Sequence, residues 1–336
     1  MVGAGAIGGL LAADLVLAGE DVTVIDTGEQ LRSIRSRGIT IRDRDGAVRR
    51  AADVRATDRF DEPGPQDLVI LAVKAHVIER VAAPLRDLLG PDTVVVTLQN
   101  GLPWWYFQRH GGDFEGLALE CLDPLGRIAA NIEPRRIVGC VAYPAASLEG
   151  PGVVRHLYGR KLPVGELDGA ETPRARRIVD LLGSAGYSSD VIPDIRAEIW
   201  LKLVGVLAFN CVSALTHSTM AEVCGNPDGA AVVLELMREC ESVARGIGVE
   251  LRVPLERRLE GAARVGHHRT SMLQDVEAGR PMEVEAIIGS TRELARRLGV
   301  ATPRIDAVDA CVRLVDERLR AGVAIRATPV EEAGGE

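Results

Sequence analysis

Apolar positions recur at helical spacing from Leu10 to Leu17. Gly3-Ala4-Gly5-Ala6-Ile7-Gly8 stands before them. Val22-Thr23-Val24-Ile25 follows, a short β-type run that ends in Asp26. The order predicts a turn, a helix and a strand. Only Met1 and Val2 precede Gly3, whereas an ordinary strand needs about five residues. The pattern therefore predicts that the first strand begins upstream of Met1.

Leu68-Val69-Ile70-Leu71-Ala72-Val73 is a continuous apolar run before Lys74, as expected of a strand buried on both faces. Val77 to Leu89 has a helical pattern, with Pro84 starting or kinking the helix. Val94 to Leu98 is β-rich and stops at Gln99-Asn100-Gly101. Strand, helix and strand in this order make a parallel sheet, and ligands bind beyond the C-terminal ends of such strands. Asp26, Lys74 and Asn100 all sit at such ends. From Trp104 to Arg136 the chain reads as irregular. Val138 to Val141 and Val153-Val154 resume β character, and Arg174 to Leu182 is helical. Asp190 to Asp194 reads as a junction. Beyond it the pattern is helical throughout, from Ile195 to about Leu319. The expected fold is α/β: a Rossmann dinucleotide-binding domain over 1–192, then an all-helical domain over 193–325. An acidic, glycine-rich, frayed tail is expected over 326–336.

The glycine run has the GxGxxG form. The first glycine makes the tight turn, and the second lets backbone approach a pyrophosphate. The third permits close helix–strand packing, while the helix N-terminus faces the phosphate charge. The motif alone is weak, but an acid about 20 residues on, at the end of the next strand, strengthens it. Gly3, Ala4, Gly5, Ala6, Ile7, Gly8 and Asp26 are therefore the expected cofactor-binding residues.

Composition narrows the partners. The 336 residues are 46% hydrophobic, 26% charged and only 3% aromatic, with a net charge of −8. No basic patch and few stacking surfaces argue against nucleic acid and anionic membranes. No apolar run reads as a membrane span, and no basic-then-apolar leader is visible. Six scattered cysteines without a CxxC pair read as reduced thiols of a cytoplasmic protein. The histidines show no metal-binding spacing, and no metal is expected.

Lys202 is the second unusual feature. It lies between Leu201 and Leu203 in an apolar stretch, and Lys202, Val206 and Asn210 share one helix face. Burial disfavours the charged amine and lowers its pKa, which suits a general acid. A lysine that snorkels to the surface is the plainer alternative. Ser271 and Glu283 read as helix-terminal residues, a position more often taken by caps than by ligands.

Several segments together resemble the ketopantoate reductase (2-dehydropantoate 2-reductase) family, almost end to end. They are GAGAIGG at the start, VKA around Lys74, QNG around Asn100, RAEIWLKL around Lys202 and the Asn210 to Thr216 run. TSMLQD around Ser271 and MEVE around Glu283 complete the set. The resemblance implies reduction of 2-dehydropantoate to (R)-pantoate by hydride from NADP or NAD in its reduced form, in pantothenate biosynthesis. It implies that Lys202 gives the proton to the developing alkoxide, and that Glu283 orients the lysine and contacts the cofactor. Asn100 would lie between nicotinamide and substrate. Asn210 and Ser271 would bind the substrate. Lys74 and Ala146 would line the cofactor site. Fold analogy adds a homodimer through the helical domain.

Two positions depart from the family. Val206 stands where a second substrate-binding asparagine is usual, so a related 2-oxo acid or lactone is the alternative substrate. No arginine follows the second strand; Asp26 there favours NAD over the family's habitual NADP. A β-hydroxyacid or imine-reducing dehydrogenase and a non-catalytic dinucleotide sensor are the competing readings. RAEIWLKL disfavours the first, and the joint presence of Lys202, Asn100, Ser271 and Glu283 disfavours the second.

Overall fold

The computed structural model describes residues 1–323. The expected tail over 326–336 lies outside the described residues. The chain forms two compact units, Met1–Lys202 and Leu203–Glu336.

The first unit contains ten strands. They are β1 (Thr23–Ile25), β2 (Ile39–Arg42), β3 (Val48–Ala51), β4 (Arg55–Thr57), β5 (Gln66–Leu71), β6 (Leu89–Thr97), β7 (Ile137–Cys140), β8 (Ala145–Gly150), β9 (Val153–Tyr158) and β10 (Val164–Glu166). Its complete helices are α1 (Ala6–Leu17), α2 (Gly28–Arg37), α3 (Ile78–Ala82), α4 (Arg127–Asn131) and α5 (Pro173–Ser184). Strands β10, β7, β6 and β5 pair in that order, and β1 pairs with β4. Every pair is parallel except β10 with β7.

Met1 to Gly3 join these two groups into one sheet. Val2 bridges both Ile25 and Leu71. Its N–H donates to Ile70 O and its carbonyl accepts from Ala72 N, both at 2.8 Å. On the other side, Gly3 N donates to Ile25 O and Ile25 N to Met1 O, again at 2.8 Å. Met1 to Gly3 thus occupy the central position between β1 and β5.

A second sheet, ordered β3-β2-β9-β8, was not foreseen. Helix α1 lies between two cores. Leu11 and Leu15 pack with Ile70, Val96 and Val138, while Leu10, Ala12 and Ala13 pack with Ile39, Ile41 and Val154. A helix apolar on every side needs such double cover. Its one charged residue, Asp14, is buried and accepts from Arg49, from Arg160 at 3.1 Å and from the Tyr187 hydroxyl at 2.9 Å.

Two expectations change in detail. The helix expected over 77–89 is cut by Pro84 into α3 and a 3-10 turn, Pro84–Leu88, because proline removes a helix donor. The expected irregular stretch 104–136 includes α4 and a buried aromatic group, Trp104 to Phe107.

Helix α6 (Ile195–Thr216) begins in the first unit and continues into the second. The second unit also contains α7 (Met220–Gly225), α8 (Pro227–Gly246), α9 (Leu255–Arg264), α10 (Ser271–Glu277), α11 (Ser290–Leu298) and α12 (Pro303–Arg320). A π-helical turn, Glu285–Gly289, leads into α11. Helix α6 corrects one expectation: it is long and apolar enough to cross a membrane. Yet 72% of its most apolar stretch is buried in protein, as in a core helix.

Candidate active site

The glycine loop has three different environments. Gly3 has φ +90°, a left-handed value that favours glycine, and an added Cβ would meet Val73 Cγ1 at 2.8 Å. At Gly8 an added Cβ would lie 2.7 Å from Ala72 Cβ and collide with the Gly3 carbonyl oxygen. These two glycines close the turn and seat α1 against the sheet. Gly5 differs: nothing stands within 4 Å of an added Cβ. Gly5 caps α1 and supplies no side-chain cap, so the first amides of α1 depend on other acceptors. A backbone cradle that is bare at the middle glycine fits a dinucleotide pyrophosphate.

Asp26 ties this loop to the end of β1. Its Oδ2 accepts from Ala4 N at 2.6 Å and its Oδ1 from Thr27 N at 2.7 Å. Gln30, which carried no signal in the sequence reading, holds the other side. Its amide donates to Ala4 O at 2.5 Å and accepts from Gly152 N at 3.0 Å. Arg32 lies in α2, with its side chain 71% exposed, 3.9 Å from Glu29. Lys74 precedes the 3-10 turn Ala75–Val77 after β5, next to the Val73 that Gly3 approaches. Gln99 joins the ends of β5 and β6 by donating to the carbonyls of Leu71 and Val73, both at 2.9 Å. Ala146 lies in β8 and packs against the core that includes Ala4 and α1.

The lysine is presented by the first two turns of α6. Arg196 anchors that end by donating to the carbonyls of Tyr106 and Gln108 at 2.7 Å, and to Leu167 O. Trp200 Nε1 donates to the Tyr106 hydroxyl at 2.9 Å, and Trp105 Nε1 to Thr97 Oγ1 at 3.1 Å. The aromatic stretch that looked irregular therefore fixes the helix against the end of β6. Lys202 Nζ then donates to Asn100 Oδ1 at 2.7 Å and to Ala142 O at 2.5 Å. Lys202 is half-buried rather than enclosed. One turn earlier, Glu198 is buried and accepts from the Tyr143 hydroxyl at 2.7 Å. Cys140 lies nearby, and burial pushes its thiol up to about 12 despite the charge of Lys202.

In the second unit, the Asn210 amide donates to Ser271 Oγ at 2.9 Å. Ser271 opens α10, whose cap is Thr270: its hydroxyl accepts from Leu273 N at 3.3 Å. Glu283 is buried just ahead of the helix that starts at Val284. The π-helical turn behind it is pinned by Arg313, which grips both oxygens of Glu285, one at 2.9 Å. Such turns recur at functional sites. Ser271 and Glu283 are thus both helix-terminal, as their spacing suggested.

A parallel sheet with a glycine loop at its first turn, an acid at the next strand end and a helix-borne lysine fixed on an amide defines a nucleotide-dependent oxidoreductase. Comparison with known proteins gives the particular one. The description "Ketopantoate reductase PanE/ApbA" matches residues 1–169, and its C-terminal counterpart matches residues 194–316. The chain belongs to the ketopantoate reductase family. A 2-dehydropantoate 2-reductase of Mesorhizobium japonicum is 43% identical over 93% of this chain and 95% of its own. One from Archaeoglobus fulgidus is 30% identical over 89% and 91%. A Geobacter metallireducens 2-dehydropantoate 2-reductase structure superposes with TM-score 0.82 at 26% identity, covering 93% of this chain and 98% of that one.

Proposed function

We propose that this oxidoreductase reduces 2-dehydropantoate to (R)-pantoate with a reduced nicotinamide dinucleotide, a step of pantothenate biosynthesis. The observation that carries the reading is the Lys202–Asn100 pair at the end of β6.

When bound, the cofactor supplies hydride to the substrate carbonyl carbon. Negative charge then grows on the carbonyl oxygen, and the protein must meet it there. Two fixed acceptors, Asn100 Oδ1 and Ala142 O, hold Nζ in place. In this reading Lys202 gives its proton to the alkoxide, an interaction stronger in the transition state than in the ground state. In this reading Asn100, whose oxygen accepts from Lys202, lies between nicotinamide and substrate. Asn210 and Ser271 bind substrate, and Glu283 orients the lysine. Lys74 and Ala146 line the cofactor site.

Backbone amides of Gly3 to Gly8 would hold the pyrophosphate. In this reading Asp26, which accepts from Ala4 N and Thr27 N, also accepts from a free ribose 2′-hydroxyl. A carboxylate facing a dianionic 2′-phosphate is unfavourable, so we assign a preference for NADH over NADPH. Val206 supports a second substrate reading, a less polar 2-oxo acid. We extend the proposal to a cytoplasmic homodimer, on fold analogy. Oxidation of NADH and of NADPH, followed across a panel of 2-oxo acids, tests the reading. Turnover of 2-dehydropantoate well above the other acids is expected; turnover of none of them overturns it.

A further inference from the structure

Helix α9 is amphipathic, and one of its arginines lies on the wrong face. Leu255 and Ala262 are buried and mark the inward stripe. Arg257 and Arg264 point outward, with side chains 72% and 78% exposed, and both reach Glu260. Arg258 lies on the inward stripe, one turn from Leu255 and one from Ala262. It is half-buried.

Its guanidinium reaches α6. A Cβ added to Gly205 would stand 2.9 Å from Arg258 Nη2. The absent side chain at 205 therefore makes room for a cation against the helix, immediately beside Val206. A second observation agrees. The positive charge of Arg258 is felt by the buried Cys240 thiol on α8, where it opposes the upward push of burial. The guanidinium is thus directed into the space between α6, α8 and α9. One turn along α6 from Val206 stand Asn210 and its partner Ser271. Gly205, Val206, Asn210 and Ser271 are all neutral, whereas any 2-oxo acid carries a carboxylate. A planar guanidinium binds a carboxylate through two parallel N–H donors, which a single amide cannot do.

We propose that Arg258 is the carboxylate anchor of this enzyme's 2-oxo acid substrate, seated by Gly205 and standing in for the hydrogen-bonding side chain that Val206 lacks. The inference rests on the reading of the second unit as substrate-binding. It makes Arg258 a specificity-determining residue: acids are held, and esters or amides of the same skeleton are not.

The test compares wild type with Arg258→Ala, Arg258→Lys and Gly205→Ala. Arg258→Ala should raise KM for the 2-oxo acid about 10- to 150-fold, the worth of a charge-assisted contact. KM for the cofactor should stay where it is. Arg258→Lys should recover part of the loss. Gly205→Ala changes no charge and adds helix propensity, yet should raise KM in the same direction by displacing the guanidinium. With the methyl ester of the substrate, wild type and Arg258→Ala should have equal KM. Calorimetric binding of pantoate with oxidised cofactor repeats the comparison without turnover. If the enzyme prefers another 2-oxo acid, the functional reading changes and the same comparison runs on that acid. An Arg258→Ala KM within about twofold of wild type overturns the anchor. So does a loss that persists with the ester, or a wild type that binds no 2-oxo acid at all.

Discussion

Lys202 and Asn100 are joined by one 2.7 Å hydrogen bond across 102 positions of sequence. The bond couples the end of β6 to the second turn of α6. On the proposed reading Lys202→Ala removes the proton donor and should lower kcat by about 10²- to 10⁴-fold. Cofactor affinity should hardly change, because the glycine loop is untouched. Single-turnover kinetics and a cofactor titration together check both halves. A kcat within about threefold of wild type is far outside that range and would remove Lys202 from the chemistry.

Gly5 and Gly8 should behave oppositely. An alanine methyl at Gly8 runs into the Gly3 carbonyl and Ala72, so Gly8→Ala should destabilise the fold, by about 1–3 kcal/mol or more. At Gly5 the methyl meets nothing. Gly5→Ala should leave the melting temperature of the cofactor-free protein near wild type and raise KM for the cofactor. Thermal melts with and without dinucleotide separate the two. A Gly5→Ala protein with unchanged cofactor KM would place the pyrophosphate elsewhere.

The proposed reading gives Asp26 two duties, and its variants should show both. Asp26→Ala frees the Ala4 amide and should weaken binding of NADH and NADPH alike. Adding Thr27→Arg should then favour NADPH, by supplying a partner for the 2′-phosphate. Steady-state kcat/KM with each cofactor is the measurement. Wild-type preference for NADPH by about tenfold, roughly 1.4 kcal/mol, would show that Asp26 serves the loop alone.

The cysteines should divide by burial. Burial raises the thiols of Cys140, to about 12, and of Cys211 and Cys240. Only the thiolate attacks a disulfide reagent. At pH 8 the native protein should therefore label readily at exposed Cys311 and resist at those three. Denaturant should release all of them. Rapid native labelling of Cys140 would mean that the end of β7 opens to solvent.

How much of this was legible beforehand follows from where each signal sits. Gly3 and Gly8 are read from sequence because backbone geometry restricts those positions to glycine, and Asp26 because it is an acid at a strand end. Lys202 stands out as a charge in an apolar helix. Ala142 left no trace, since its contribution is a carbonyl that every residue has. The β3-β2-β9-β8 sheet was missed because its strands are short and carry outward arginines such as Arg42 and Arg155, which resemble loop composition. The aromatic run at Trp104 lacked periodicity, yet it packs in a fixed arrangement around Arg196. Arg258 was hidden among charged neighbours in α9. Its spacing from buried Leu255 and Ala262, and the nearby Gly205, show that it is the arginine that points inward.

Helix α1, covered on both sides, has a consequence for how this enzyme meets salt. The helix that follows the glycine loop is interior along almost its whole length, and its only charge is an acid already matched by Arg49 and Arg160. No lysine or arginine of α1 is available to neutralise a ligand there. On the proposed reading the pyrophosphate is gripped there by oriented amides at short range, and Lys74 is a separate cation of the cofactor site. Ionic atmosphere screens the second kind of attraction far more than the first. The pyrophosphate contribution to dinucleotide capture should therefore vary little with ionic strength, while capture of the small acid by the proposed Arg258 anchor should weaken as salt rises.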